Sequence, residues 1–255
     1  MSDTAAGRAG VHLLVLEHDS SDPLMRLADW LAEAGATVDI RRLHAGDAVP
    51  ASAAGYDGVI SLGGEMGALD DHIAPWLPQA RELLAACVTG RTPTLGICLG
   101  AQLMAAATGG TVAKGVDGPE IGAHLTAKRD AAETDPLFNA LPMTPDVMQY
   151  HYDVIQTLPP GAVLLLSGTG YPNQAFRLGS AAWAVQFHIE PTAEAVRSWA
   201  ATEGREPVGR LGDMLDDAER QMGEVWREFT ARFVSFAAGA VGVRMPLPLL
   251  EADQS

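Results

Sequence analysis

Positive charge is scarce in this sequence. Lysine occurs only at Lys114 and Lys128, and 17 basic residues stand against 32 acidic ones, which gives a formal net charge of −15. Nucleic acids and anionic membrane surfaces are bound by clustered lysine and arginine. The composition therefore argues against nucleic acid and against a membrane as partners, and we attribute the acidity to solubility.

Cysteine is also rare, with Cys87 and Cys98 alone in 255 residues. Their spacing matches neither a disulfide framework nor a zinc site, so we expect no metal and no cofactor. The first ten residues lack the apolar segment of a secretory signal, and no apolar run is long enough to cross a bilayer. These absences predict a cytoplasmic protein.

Strand-like and helix-like patterns alternate over the first half of the chain. Apolar strand patterns occur at 11–18, 37–43, 56–64 and 92–98, and helical patterns occur at 20–35, 74–90 and 99–110. The first helical pattern opens with a Ser/Asp cap region. Alternation with short connections predicts an α/β fold with a doubly wound, mostly parallel sheet flanked by helices.

The second half of the chain has a different pattern. From about residue 111, short strand-like segments with glycine-rich turns predict hairpins that are added to the sheet and make it mixed. Further on, Trp226, Phe229, Phe233 and Phe236 recur at helical spacing, which is typical of a core-facing stripe rather than a cofactor site. We predict a disordered leader, a main domain and a C-terminal helical extension with its tail, at residues 1–10, 11–200 and 201–255.

Cys98 stands between two glycines where an apolar strand gives way to a helix. The stretch Gly96-Ile97-Cys98-Leu99-Gly100 has the form of a nucleophile elbow, a sharp turn that lifts the nucleophile above the sheet. Glycines two residues on either side avoid collision with neighbouring backbone. The helix N-terminus favours a thiolate, and the N–H of Leu99 is the expected oxyanion donor.

A nucleophilic cysteine needs a base, and His188 is the strongest candidate among seven histidines. It ends the strand-like run AAWAVQFH, where an α/β sheet places its site, and Glu190 lies two residues on. A carboxylate at this spacing can hold the imidazole in one tautomer and stabilise its charged form. Alone, the pair could be a chance histidine at a strand end. Together with the elbow, it predicts a Cys98–His188–Glu190 triad.

A second oxyanion donor is expected from a neighbouring strand end. Gly63 and Gly64 lie in such a loop, LGGEMG, whose backbone N–H groups can point at one anionic oxygen. A glycine pair after a strand is also typical of a plain turn, so the pair alone does not decide between the two interpretations.

The segments LGGEMG, GICLGAQ and QFHIE, in this order, resemble the motifs of class I, triad-type glutamine amidotransferases, above all the glutaminase domain of GMP synthase and its stand-alone relatives. The likeness covers roughly residues 11–200 and implies a flavodoxin-like fold. It implies that Cys98 attacks the side-chain amide of glutamine, His188 protonates the departing ammonia and Glu190 orients His188. It also implies that the N–H groups of Gly64 and Leu99 hold the oxyanion and that a thioester is hydrolysed to glutamate.

The resemblance also assigns substrate contacts. Gln102, one turn into the helix after the elbow, matches the glutamine-binding Gln of the family; without the motif it would be interpreted as a solvent-facing residue. Tyr150, His151 and Tyr152 match the loop that holds the α-amino and α-carboxyl groups, with His151 orienting the substrate or serving the structure rather than acting as base. Met66, in the glycine loop, is a further expected substrate contact.

Two positions depart from the family pattern. Ile189 replaces the usual proline of FHPE, so we expect the triad to survive with a looser turn. Glu65 replaces the proline that usually follows the glycine pair. Because proline fixes φ, we expect a more mobile oxyanion loop and added negative charge near the pocket.

Three functions are compatible with these motifs. The first is a glutaminase-type amidotransferase whose ammonia passes to an acceptor enzyme; no nucleotide-binding motif is seen in this chain, so the acceptor would be a separate synthetase subunit. The second is an autonomous hydrolase of a γ-glutamyl peptide or conjugate that uses the same triad. The third is a catalytically silent regulatory subunit. The C-terminal helices would cover the sheet or form a homodimer or partner surface.

Overall fold

The computed structural model describes residues 10–202 and 210–239. The strands of these residues are β1 (Val11–Glu17), β2 (Ala36–Arg42), β3 (Gly58–Ser61), β4 (Thr94–Ile97), β5 (Thr111–Lys114), β6 (Glu120–Leu125), β7 (Ala127–Lys128), β8 (Asp146–His151), β9 (Asp153–Thr157), β10 (Val163–Ser167), β11 (Ala175–Leu178) and β12 (Ala182–Val185). The helices are α1 (Arg26–Glu33), α2 (Leu77–Gly90), α3 (Leu99–Ala107), α4 (Ala193–Thr202) and α5 (Arg210–Ala237).

The largest sheet has eight strands in the order β2-β1-β3-β4-β12-β11-β10-β7. The strands from β2 to β12 pair in parallel, while β11, β10 and β7 continue the sheet with antiparallel pairing. This confirms the predicted mixed, doubly wound α/β sheet. The carboxyl ends of β1, β3, β4 and β12 meet at one edge, and the loops after these strands are therefore neighbours.

Helices cover both faces of the sheet. One apolar core lies under α1 and α5, and a second lies under α2 and α3. Trp226, Phe229, Phe233 and Phe236 of α5 are buried in the first core, with at most 8% of any one of them exposed, so the predicted core-facing stripe is confirmed. The stripe is covered within the chain by ring contacts to Phe138, Trp183 and Phe187.

The predicted antiparallel addition to the sheet is formed by β11, β10 and β7, while four other later strands lie outside this sheet. β5 pairs with β9 and β6 pairs with β8 in two separate antiparallel ribbons. Alternating polarity identifies a strand but does not specify its partner, and β5 is at most half-buried along its length. The β6–β8 ribbon contacts the sheet edge through a bridge between Met148 and His188.

Several predicted boundaries shift in the structure. α1 begins only at Arg26, after an uncapped Met25, so the Ser/Asp segment forms a loop instead of a cap. β12 ends at Val185, three residues before His188. Apart from Gly10, the predicted leader lies outside the described residues, as do residues 203–209 and 240–255 of the predicted extension. Within the described ranges, no helix is long and apolar enough to span a bilayer.

Replacing Phe233 by alanine should destabilise the fold, because its ring is fully buried between α5 and the sheet. We expect a loss of about 3 kcal/mol or more in the free energy of unfolding, measured by urea denaturation. Glu224→Ala, an exposed position on the same helix, is the matched control and should change little. A loss below about 1 kcal/mol at Phe233 would show that α5 does not stabilise this core.

Candidate active site

Cys98 occupies the sharp turn between β4 and α3. Its backbone has φ 49° and ψ −106°, a conformation that few residues other than glycine adopt and that costs about 1–3 kcal/mol. Two backbone hydrogen bonds hold the turn: Cys98 N donates to Val185 O at 2.9 Å, and Gly100 N donates to Leu62 O at 3.0 Å. The elbow is thus tied to the strands on both sides of β4.

The two flanking glycines are required by close backbone approach, as the motif predicts. A Cβ at Gly100 would lie 2.1 Å from the backbone oxygen of Ser61 in β3. A Cβ at Gly96 would lie 2.7 Å from the backbone oxygen of Gly100. Both distances are far below van der Waals contact, so α3 can start against β3 and β4 only because these side chains are absent.

The structure brings Cys98, His188 and Glu190 together at this edge. Cys98 and His188 line the same cavity, the negative charge of Cys98 acts on the imidazole, and His188 Nδ1 lies 2.5 Å from Glu190 Oε1. All three residues are at most 5% exposed. The backbone of His188 is fixed by bonds to Met148 in both directions, at 2.8 and 3.3 Å.

The imidazole of His188 is favoured in its charged form. Burial alone would lower its pKa, but the negative charges of Glu190, Cys98 and Asp22 outweigh burial, and the pKa lies well above the ordinary 6.5. The site therefore keeps a proton on His188 at neutral pH, next to the sulfur of Cys98.

Ile189, which stands where the family motif has proline, makes a backbone contact with the triad carboxylate. Its backbone N–H donates to Glu190 Oε2 at 2.8 Å, a bond that proline could not make. Both oxygens of Glu190 are thus engaged, one by His188 and one by Ile189. The residue that replaces proline adds an orienting contact for the carboxylate.

The glycine loop after β3 lies beside the elbow. A Cβ at Gly64 would lie 3.0 Å from Leu99 Cδ2 and 2.8 Å from Met66 Sδ, so the two expected oxyanion residues are in contact. Behind the loop, neutral His18 is held by Ser61 Oγ at 2.9 Å and by Trp76 Nε1 at 3.3 Å. Glu65 is exposed at the rim, with Oε1 3.5 Å from Ser21 Oγ.

A cavity of about 720 Å³ opens above Cys98 and His188. The residues predicted to contact a substrate all line it, namely Gly64, Met66, Gln102, Tyr150, His151 and Tyr152. Charged groups of both signs also line it: Glu65, Asp70, Asp153 and Lys114.

Gln102 connects the elbow helix to the start of β9. Its Nε2 donates to the backbone oxygen of Asp153 at 2.9 Å, and the side chain is 3% exposed. Both ring nitrogens of His151 lie next to other groups: Nδ1 is 3.0 Å from Asp153 O and Nε2 is 3.2 Å from Glu120 Oε2. These contacts agree with an orienting or structural place for His151.

Sequence reasoning missed two residues of this site. Asp22 lies in the loop after β1, and its Oδ1 is 3.8 Å from His188 Nδ1. Trp199 of α4 packs on the rings of His188 and Tyr150, at 5.1 and 5.4 Å, and donates from Nε1 to Ser21 O at 3.0 Å. The signal for Asp22 was a polar cluster at the carboxyl end of a strand, which was interpreted as a helix cap.

The fold and this geometry define an α/β protein with a cysteine elbow and a buried His–Glu pair. The family model for class-I glutamine amidotransferases matches residues 24–198, more than half of the chain. The chain therefore belongs to the class-I glutamine amidotransferase family.

Individual relatives agree with this assignment. A glutamine amidotransferase-like protein, YfeJ of Salmonella typhimurium, is 28% identical over 229 residues, which cover 85% of this chain and 94% of that one. A glutamine-hydrolysing GMP synthase of Porphyromonas gingivalis is 39% identical over 103 residues, 40% of this chain but 20% of that longer protein. The crystal structure of a glutamine amidotransferase from Thermotoga maritima superposes with a TM-score of 0.79 at 27% identity, covering 88% of this chain and 98% of that one.

Gly100→Ala should disrupt the elbow, because its Cβ would collide with Ser61 O in β3. We expect a loss of about 1–3 kcal/mol of unfolding free energy in urea and slower alkylation of Cys98 by iodoacetamide. Gly90→Ala is the matched control, since the nearest atom to its added Cβ is 3.8 Å away. Equal behaviour of the two variants would mean that the elbow tolerates a side chain at Gly100.

Proposed function

We propose that this protein hydrolyses the γ-amide of glutamine through a thioester on Cys98. The observation that carries the proposal is the placement of Cys98 and His188 together in an open cavity, with His188 hydrogen-bonded to the buried Glu190. The thiolate attacks the amide carbon, and the N–H groups of Gly64 and Leu99 stabilise the oxyanion. Charged His188 then gives its proton to the departing ammonia.

The second half of the reaction uses the same groups in reverse. Neutral His188 takes a proton from a water molecule, which attacks the thioester carbon and releases glutamate and the thiolate. Glu190, with both oxygens engaged, keeps the imidazole in one tautomer and stabilises it when charged. The balance is glutamine and water to glutamate and ammonia.

Substrate binding is assigned to the other side of the cavity. Gln102 holds the start of β9 through Asp153 O, and Tyr150 and Tyr152, at the end of β8 and just after it, lie in the adjoining wall of the cavity. Carboxylates and Lys114 at the rim suit the zwitterionic α-carbon end of an amino acid. The ammonia passes to a separate acceptor enzyme, as the resemblance to the family implies.

Hydrolysis of larger γ-glutamyl compounds is the second candidate. The cavity of about 720 Å³ extends past the residues assigned to glutamine to Met25, Ala195 and Ser198. A peptide or amine leaving group could occupy this outer part without changing the chemistry at Cys98.

Glutamate release by the purified protein tests both candidates. With glutamine and a panel of γ-glutamyl peptides as substrates, Cys98→Ser should lose at least about a thousandfold of the wild-type rate, because it lacks the thiolate. Cys87→Ala, the other cysteine, should retain activity. Release from peptides but not from glutamine would select the second candidate. More than about a tenth of the rate in Cys98→Ser would exclude Cys98 as nucleophile.

Gln102→Ala should weaken binding more than turnover, since Gln102 positions the start of β9 rather than a reacting atom. We expect KM for glutamine to rise about tenfold, with kcat within about twofold, as measured by steady-state kinetics. Gln156→Ala, an exposed residue on β9, serves as control. A fall in kcat with unchanged KM would contradict this assignment.

A further inference from the structure

The carboxyl group of Asp22 lies against the triad although the reaction proposed above assigns it no step. Asp22 is 5% exposed. One carboxylate oxygen each of Asp22 and Glu190 and one ring nitrogen of His188 lie within 4.8 Å of one another. Among the residues that the structure describes, no group gives Asp22 Oδ1 a hydrogen bond. Buried carboxylate oxygens are rarely left in this state, so the contact calls for an explanation.

Gly63 and the loop after β1 hold Asp22 in this place. A Cβ at Gly63 would lie 1.8 Å from Asp22 Oδ2 and 2.9 Å from His188 Cε1, so the carboxyl group occupies space that only a glycine leaves open. Asp19 orders the loop by accepting bonds from the N–H and the hydroxyl of Ser21, both at 2.8 Å. The position of Asp22 is therefore fixed from two sides.

The charge of the site limits the ionisation of Asp22. If Asp22, Glu190 and Cys98 were all ionised, three negative groups would share one buried imidazolium. Burial is the main cause that raises the pKa of Asp22 to about 7; His188 opposes the rise, and Glu190 and Asp19 add to it. One oxygen of Asp22 and one of Glu190 lie within 4.8 Å of each other, and hydrogen bonding with Glu190 is among the causes that raise the pKa of Asp22. A proton on Asp22 can therefore be shared between the two carboxyls.

Resting on the proposed function, we propose that Asp22 is a positioning residue whose protonated carboxyl donates a hydrogen bond to Glu190 and so holds Glu190 against His188 Nδ1. Asp22 touches no reacting atom and acts through Glu190. When Asp22 loses its proton, a like charge appears beside Glu190, and His188 holds its own proton more tightly. A more tightly held proton is given less readily to a leaving group, so turnover should fall as pH rises through the pKa of Asp22.

Other ionisable groups surround Asp22, and the test must separate them. Nearest are His188 and Glu190 after β12, Asp19 in its own loop, and Cys98 behind His188. The ionisable residues around the cavity are Glu65, Asp70, Lys114, His151 and Asp153. The residues of α4 that line it carry no charge: Ala195, Ser198 and Trp199. A substitution at Asp22 itself, with the remaining groups unchanged, isolates its titration.

The experiment measures the rate of Cys98 alkylation by iodoacetamide in the full chain from about pH 5 to about pH 9. Cys98→Ala supplies the blank. The alkylation rate of the wild type, plotted against pH, should show an inflection near pH 7. The plot for Asp22→Asn should lack this inflection, because asparagine stays neutral and can still donate to Glu190. Asp29→Asn, the same change at an exposed site on α1, should keep the inflection.

Asp22→Ala gives a second variant without a titrating group and without a donor. Its alkylation profile should lack the inflection as well. Its kcat for glutamate release should fall about tenfold, with KM within about twofold of the wild-type value. Asp22→Asn should recover most of the lost kcat. An inflection that persists in Asp22→Asn, or that is missing from wild type, would overturn the role of Asp22. If alkylation behaves as expected but glutamine is not hydrolysed, the proposed function fails and the role of Asp22 stands.

Discussion

The strained backbone of Cys98 is the constraint on which the site depends. A residue with a side chain is held at φ 49° between β4 and α3, at a cost of about 1–3 kcal/mol. The surrounding sheet offsets that cost. Backbone hydrogen bonds to Val185 and Leu62 hold the turn, and the absence of a side chain at Gly100 lets α3 start against β3. The result places the sulfur at the N-terminus of α3, at the edge where the parallel strands end.

The order of the strands then decides which groups can reach the sulfur. β3 and β12 are the two neighbours of β4, and β1 is the neighbour of β3. The loop after β12 supplies His188 and Glu190, and the loop after β3 supplies the glycine pair. The loop after β1 is one strand further away, and its Asp22 reaches the imidazole because Gly63 leaves the space between them empty.

Sequence patterns predicted the parts of this arrangement that depend on local chemistry. The alternation of strand and helix patterns predicted the sheet, and the glycines around Cys98 predicted the elbow. The two ribbons, β5–β9 and β6–β8, were missed because alternation does not identify a pairing partner. Asp22 was missed because its contact joins the β1 loop to His188, more than a hundred residues further along the chain. Trp199 was missed because a helical pattern does not reveal that its ring turns back onto His188, which precedes α4. The effect of Ile189 depends on a backbone N–H, which a comparison of side chains does not reveal.

Three histidines are buried near this edge, and their surroundings explain why one of them suits proton transfer. Burial lowers the pKa of His18 to about 3, since the charge of Asp19 opposes burial only weakly, and its partners Ser61 and Trp76 are neutral. Burial acts on His188 in the same direction, yet Glu190, Cys98 and Asp22 reverse the outcome. The acidic groups around the imidazole, rather than its depth in the protein, therefore decide that His188 keeps a proton. Because each added negative charge also makes that proton harder to give away, a protonated Asp22 beside Glu190 lets the site hold an imidazolium that can still act as an acid.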